Sequence, residues 1–110
     1  MIGSICVIVR HPKGNELSTL GIRTAWATLV GAMDSKLLYV EDGVYNLLPH
    51  PGYNTAMLKD YIGEGGPVYA LKSDVEARGL DPGEFVEGVE LISAEEVAEL
   101  IAETEANTIF

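Results

Sequence analysis

Ile2-Gly3-Ser4-Ile5-Cys6-Val7-Ile8-Val9-Arg10 is the stretch on which the fold turns. Ile2, Ser4, Cys6 and Ile8 alternate with Gly3, Ile5, Val7 and Val9, so both faces of the extended segment are apolar or small. A strand buried on both sides belongs inside a parallel sheet, because crossover helices cover both faces of such sheets. The segment predicts an interior strand of an α/β domain.

Working outward, His11-Pro12-Lys13-Gly14-Asn15 is a loop by composition, and residues 16 to about 33 read as a helix. Ile22, Trp26, Leu29, Val30 and Met33 share one side of it, and Gly21, Thr24, Ala27, Thr28 and Gly31 form a second face of small residues. A second strand is expected over 36–41, then a turn at Asp42-Gly43 into the apolar run 44–48, which Pro49-His50-Pro51-Gly52 stops. Residues 55–62 read as a short helix with Met57, Leu58 and Tyr61 inward, and 67–71 as a third strand.

Ser73 is a candidate cap for a short helix over 74–78 that Gly79 ends, and Asp81-Pro82-Gly83 marks a turn. A fourth strand over 89–92 leads into Ser93-Ala94-Glu95-Glu96, a capping box opening a last helix. That helix turns Val97, Ala98, Leu100 and Ile101 inward and Glu95, Glu96, Glu99 and Glu103 outward. Alternating strands and helices over residues 1–110 predict a single three-layer α/β/α sandwich with a mainly parallel sheet of four to five strands.

Composition narrows the function. The net charge is -10, and all of the excess lies in residues 56–110, which carry thirteen acidic and three basic side chains; residues 1–55 carry four of each. No broad basic face is available for nucleic acid or an anionic membrane. The single cysteine allows no intrachain disulfide, and with no apolar run of membrane-spanning length the expectation is a cytoplasmic protein. His11 and His50 sit on different loops without spaced ligands, so neither a metal nor a cofactor is implied. Cys6, between Ile5 and Val7, is expected to be buried and unreactive.

Parallel sheets bind ligands beyond the carboxyl ends of their strands. There the first strand delivers Arg10, His11 and Lys13, the second Glu41, Asp42 and Gly43, the third Lys72 and Ser73, and the fourth Ser93. Arg10, His11, Lys13, Lys72 and Ser73 are therefore candidates for an anion site, in a small-molecule binding protein or an enzyme.

Four stretches also carry a family resemblance. They are Arg10-His11-Pro12 at the end of the first strand, the expected helix around Gly21 to Met33, above all Leu38-Tyr39-Val40-Glu41-Asp42-Gly43-Val44-Tyr45-Asn46-Leu47-Leu48, and Val68-Tyr69-Ala70-Leu71-Lys72-Ser73-Asp74-Val75-Glu76-Ala77-Arg78-Gly79-Leu80. With them the chain resembles the DsrE/DsrF-like sulfur-relay family, and most closely its DsrF or TusC branch. The resemblance implies a small α/β subunit of a homo- or hetero-oligomer with DsrE-like subunits, in which persulfide sulfur passes between proteins. In DsrE-type carriers a cysteine lies a few residues before the Arg-Gly pair, but residues 70–77 here contain none. The resemblance therefore implies a non-carrier subunit, with Asp42, Gly43 and Tyr45 as candidate partner contacts.

Overall fold

The computed structural model describes residues 3–110, so Ile2, the expected start of the first strand, lies outside the described residues. Among these, strands β1 (Ser4–Val9), β2 (Asp34–Tyr39), β3 (Val68–Leu71), β4 (Val89–Ile92) and β5 (Ala106–Ile109) form one sheet in the order β4-β3-β2-β1-β5. Every pairing is parallel, with Val7 opposite Leu37 and Ile8 opposite both Leu38 and Ile109. The two-sided apolar segment is thus an interior strand, flanked by β2 and β5.

Helices α1 (Glu16–Val30), α2 (Tyr53–Gly63), α3 (Lys72–Ala77) and α4 (Ala94–Glu103) complete the fold, with 3-10 turns at Glu41–Leu47 and Pro82–Glu84. The two sheet faces are unequal. On one, Val7, Val9, Leu37, Tyr39, Val68 and Ala70 pack with Ile22 and Ala25 of α1, Leu58 and Tyr61 of α2, and Val75 of α3. On the other, Cys6, Ile8, Leu38 and Ile92 pack with Leu100, Val97 and Ile101 of α4 alone among the described helices. Each fully buried aliphatic side chain here contributes roughly 1.5–3 kcal/mol relative to exposure.

Local chemistry fixes the helix ends. Asn15 caps α1 by accepting from the Leu17 N–H at 2.9 Å. Ser93 and Glu96 form the expected capping box of α4, each side chain bonded to the other's backbone N–H at 3.2 Å. Gly21 lets α1 lie against Val9, where an added Cβ would crowd the Val9 side chain.

Several expectations are corrected. Strand β2 begins at Asp34, where Ser35 is buried with its hydroxyl bonded to the Tyr61 hydroxyl at 2.9 Å and to Thr28 at 3.0 Å, and it ends at Tyr39, ahead of the positive φ of Glu41. A satisfied serine is tolerated inside a strand. Helix α3 starts directly at Lys72, so Ser73 is within it and is not its cap. Helix α1 stops at Val30, leaving Val30 exposed and Met33 outside the helix. Of the expected small face, Gly21 is buried but Ala27 and Gly31 are exposed, and Ala98 of α4 faces solvent. Strand β5 adds an edge to the four strands read individually from the sequence. No helix among the described residues is long and apolar enough to cross a membrane.

Candidate functional site

The carboxyl ends of β1, β2 and β3 meet at the 3-10 turn Glu41–Leu47, and the chain must enter that turn sharply. Glu41 does so with a positive φ of 50°, which is uncommon for a side-chain-bearing residue. Its backbone N–H donates to the Asp74 carboxylate at 2.6 Å, and its side chain pairs with Arg10 at 3.0 Å. Asp42 accepts from Arg78 Nε at 3.0 Å, and Arg78 Nη1 lies 3.7 Å from Asp74. The Arg10–Glu41 pair is exposed and contributes little by itself. The joined set nonetheless ties the ends of β1 and β2 to α3.

Gly43 is buried beneath the end of β1, so its part in the turn is steric. Beside it, Asn46 donates from Nδ2 to the carbonyls of His11 and Gly43, both at 2.9 Å, and pins the loop after β1 to the turn. Asp42 and Tyr45 face outward, Tyr45 being 36% exposed. Those two side chains form the accessible part of the candidate partner-contact turn.

The candidate anion ligands are distributed over separate places. Lys13 Nζ donates to the Leu48 carbonyl and the Thr55 hydroxyl, each at 2.7 Å, and burial lowers its pKa. It borders a depression of about 390 Å3 shared with Gly14, Thr19, Gly52 and Tyr53. Lys72 and Ser73 border a different depression of about 300 Å3 with Glu76, Ser93 and Ala94, and Lys72 Nζ stands 3.9 Å from Glu76. His11 Nδ1 is buried with no hydrogen-bond partner among the described residues. The structure therefore does not bring Arg10, Lys13 and Lys72 together around one point. No group of three or more His, Cys, Asp or Glu among the described residues is placed to hold a metal ion.

Cys6 lies in the middle of β1 with no exposed surface. Burial pushes its thiol up to about 11, and the positive charge of Lys36 offsets only part of that. A thiol held protonated and covered by α4 is a poor nucleophile. The end of β3 and helix α3 present Lys72, Ser73 and Glu76 to solvent.

Asp74 and Asn46 stand in the stretches that carry the resemblance but are not among the candidate site residues read from the sequence. Asn46 left a trace, being a lone amide within the apolar run 44–48. Asp74 left none, since its partner, the Glu41 N–H, is created by a backbone turn that sequence pattern does not encode.

The family model described as DsrH-like protein matches residues 24–107. An uncharacterized Methanopyrus kandleri protein, MK0008, is 32% identical over 111 residues, covering 94% of this chain and 89% of that protein. The crystal structure of the Escherichia coli YchN protein is similar over 99% of this chain and 100% of its own, with 26% identity and a TM-score of 0.86. MTH1491 from Methanobacterium thermoautotrophicum, described as a protein of unknown function, shares the fold at 19% identity with a TM-score of 0.78, over 97% of this chain and 99% of that one.

Proposed function

Because the chain belongs to the DsrH-like family, one of the DsrE/DsrH-like sulfur-relay proteins, we propose that it is a non-carrier subunit of a sulfur-relay assembly. It supports persulfide transfer by cysteine-bearing partner subunits and holds no sulfur itself. The observation that carries this reading is the placement of its only cysteine: Cys6 is fully buried, and its thiol is pushed up to about 11. A carrier must expose a thiolate to accept and release sulfane sulfur, and no other side chain substitutes for it.

Within the family, the narrower DsrF or TusC placement rests above all on the motif Leu38-Tyr39-Val40-Glu41-Asp42-Gly43-Val44-Tyr45-Asn46-Leu47-Leu48. Asp42 and Tyr45 on the outer side of that turn, with Gly43 shaping it from beneath, are the proposed partner contacts. Reconstitution tests the reading: the purified chain is mixed with a cysteine-bearing DsrE-type subunit and followed by light scattering and by persulfide transfer between partner proteins. The expected result is a stable complex in which transfer is faster than with the carrier alone. A chain that stays monomeric at micromolar concentration and leaves the transfer rate unchanged contradicts it.

A further inference from the structure

We propose that β4 is a docking edge, to which an extended, Lys- or Arg-bearing segment of a partner protein adds as a further strand. The inference rests on the partner-binding reading above and names the kind of partner. Among the described residues, strand β4 pairs only with β3, from Val68 opposite Val89 to Leu71 opposite Ile92, and it ends the sheet. Its outward backbone N–H and C=O groups have no strand partner among the described residues, and such an edge is a template for strand addition.

A groove flanks this edge on each face of the sheet. One, of about 400 Å3, is lined by Pro82, Phe85, Val86, Glu87, Val89 and Leu91. The other, of about 130 Å3, lies between β4 and α4 and is lined by Tyr69, Glu90, Glu96, Glu99, Leu100 and Glu103. Side chains of an added strand alternate between faces, so successive residues would enter the two grooves in turn. Apolar side chains line the first groove beside the single carboxylate of Glu87, whereas the second sets Tyr69, Ile92 and Leu100 beside the carboxylates of Glu90, Glu96, Glu99 and Glu103.

Charge selects the occupant. Glu87, Glu90, Glu99 and Glu103 take part in no ion pair among the described residues. They hold part of the negative excess that the second half of the sequence carries. A second copy pairing through β4 would set the same carboxylates against one another, which disfavours self-association at this edge. A basic extended segment meets complementary charge on both faces and completes the backbone ladder.

The test uses the full chain, isotope-labelled, and a short synthetic peptide in which Lys-Lys and Val-Val pairs alternate, so that each face of the added strand carries both Lys and Val, followed by amide shifts and calorimetry. Saturable binding with the shifts centred on Val89–Ile92 is expected. Methylating alternate backbone nitrogens of the peptide should weaken binding by about tenfold or more, since it removes ladder hydrogen bonds and keeps the charge. A Glu-for-Lys peptide should not bind, and Glu87→Gln with Glu90→Gln should weaken the parent peptide several-fold while leaving the amide spectrum folded. Three outcomes overturn the proposal: no binding, equal binding of the methylated peptide, or β4 shifts that grow with protein concentration in the absence of peptide. These failures leave the buried thiol untouched, whereas persulfide on native Cys6 would contradict the non-carrier reading without bearing on β4.

Discussion

Gly43 lies so close beneath the carbonyl oxygen of Val9 that no Cβ fits between them. The Val40 N–H donates to that same oxygen at 3.0 Å, so the last bond of the β1–β2 ladder and the first residues of the turn crowd one atom. Glycine is required there because the obstruction is backbone, which cannot swing aside as a side chain can. The turn's outward display of Asp42 and Tyr45 depends on this approach.

Gly43→Ala should therefore lower stability by about 1–3 kcal/mol, as overpacking does in a close-packed interior. In a domain of this size the melting temperature falls by roughly 4–8 °C per kcal/mol. Gly63→Ala is the matched control, because a Cβ at Gly63 meets nothing within 4 Å. Thermal unfolding followed by circular dichroism should leave that variant within about 1 kcal/mol of the parent.

Alkaline conditions should weaken the fold in a defined window. Cys6 is raised from 9.0 to about 11 and Tyr61 from 10.0 to about 12, both chiefly by burial, with the Ser35 hydrogen bond partly offsetting the shift of Tyr61. The folded protein holds these protons where the unfolded chain releases them. Stability is thus full below pH 9 and declines as pH rises through about 11 and then 12. Urea unfolding on either side of pH 9 checks this, and Cys6→Ala should remove the earlier part of the decline.

Lys13→Met should destabilise by about 1–3 kcal/mol, because it leaves the Leu48 carbonyl and the Thr55 hydroxyl without their charged donor. The loss should be visible as faster amide exchange at the start of α2, where Thr55 sits. A change confined to ligand binding, with stability unaltered, would mean that Lys13 is free for another role.

Ser93→Ala should cost about 1 kcal/mol by opening the α4 capping box. Helix α4 is the cover over Cys6, Ile8 and Leu38, so this variant should also raise the labelling rate of Cys6 by a thiol reagent. Unchanged labelling at reduced stability would show that α4 does not gate the thiol.

Much of this architecture is legible in the residues because local signals agree with tertiary need. The two-sided apolar pattern of residues 4–9 gives an interior strand, and Ser93-Ala94-Glu95-Glu96 gives the start of α4 to the residue. Strand β5 escaped because Ala106, Asn107 and Thr108 form a short, mostly polar edge that pairs on one side only. The start of β2 escaped because Ser35 reads as a loop residue until its bonds to Tyr61 and Thr28 are seen. The site was legible at Cys6, where flanking residues predict burial, and at the glycine turn. It was not legible in its electrostatics, since Asp74 meets Glu41 and Arg78 meets Asp42 only through the positive φ of Glu41 and the docking of α3.

The central claim is that this chain accompanies a sulfur carrier without being one. Intact mass measurement of the native protein after incubation with inorganic polysulfide tests it directly, because Cys6 is the only thiol that could take up a sulfane sulfur. The account predicts no added sulfur on the folded chain and rapid addition once urea exposes Cys6. Persulfide on Cys6 of the folded protein, transferable to a partner's cysteine, would contradict it.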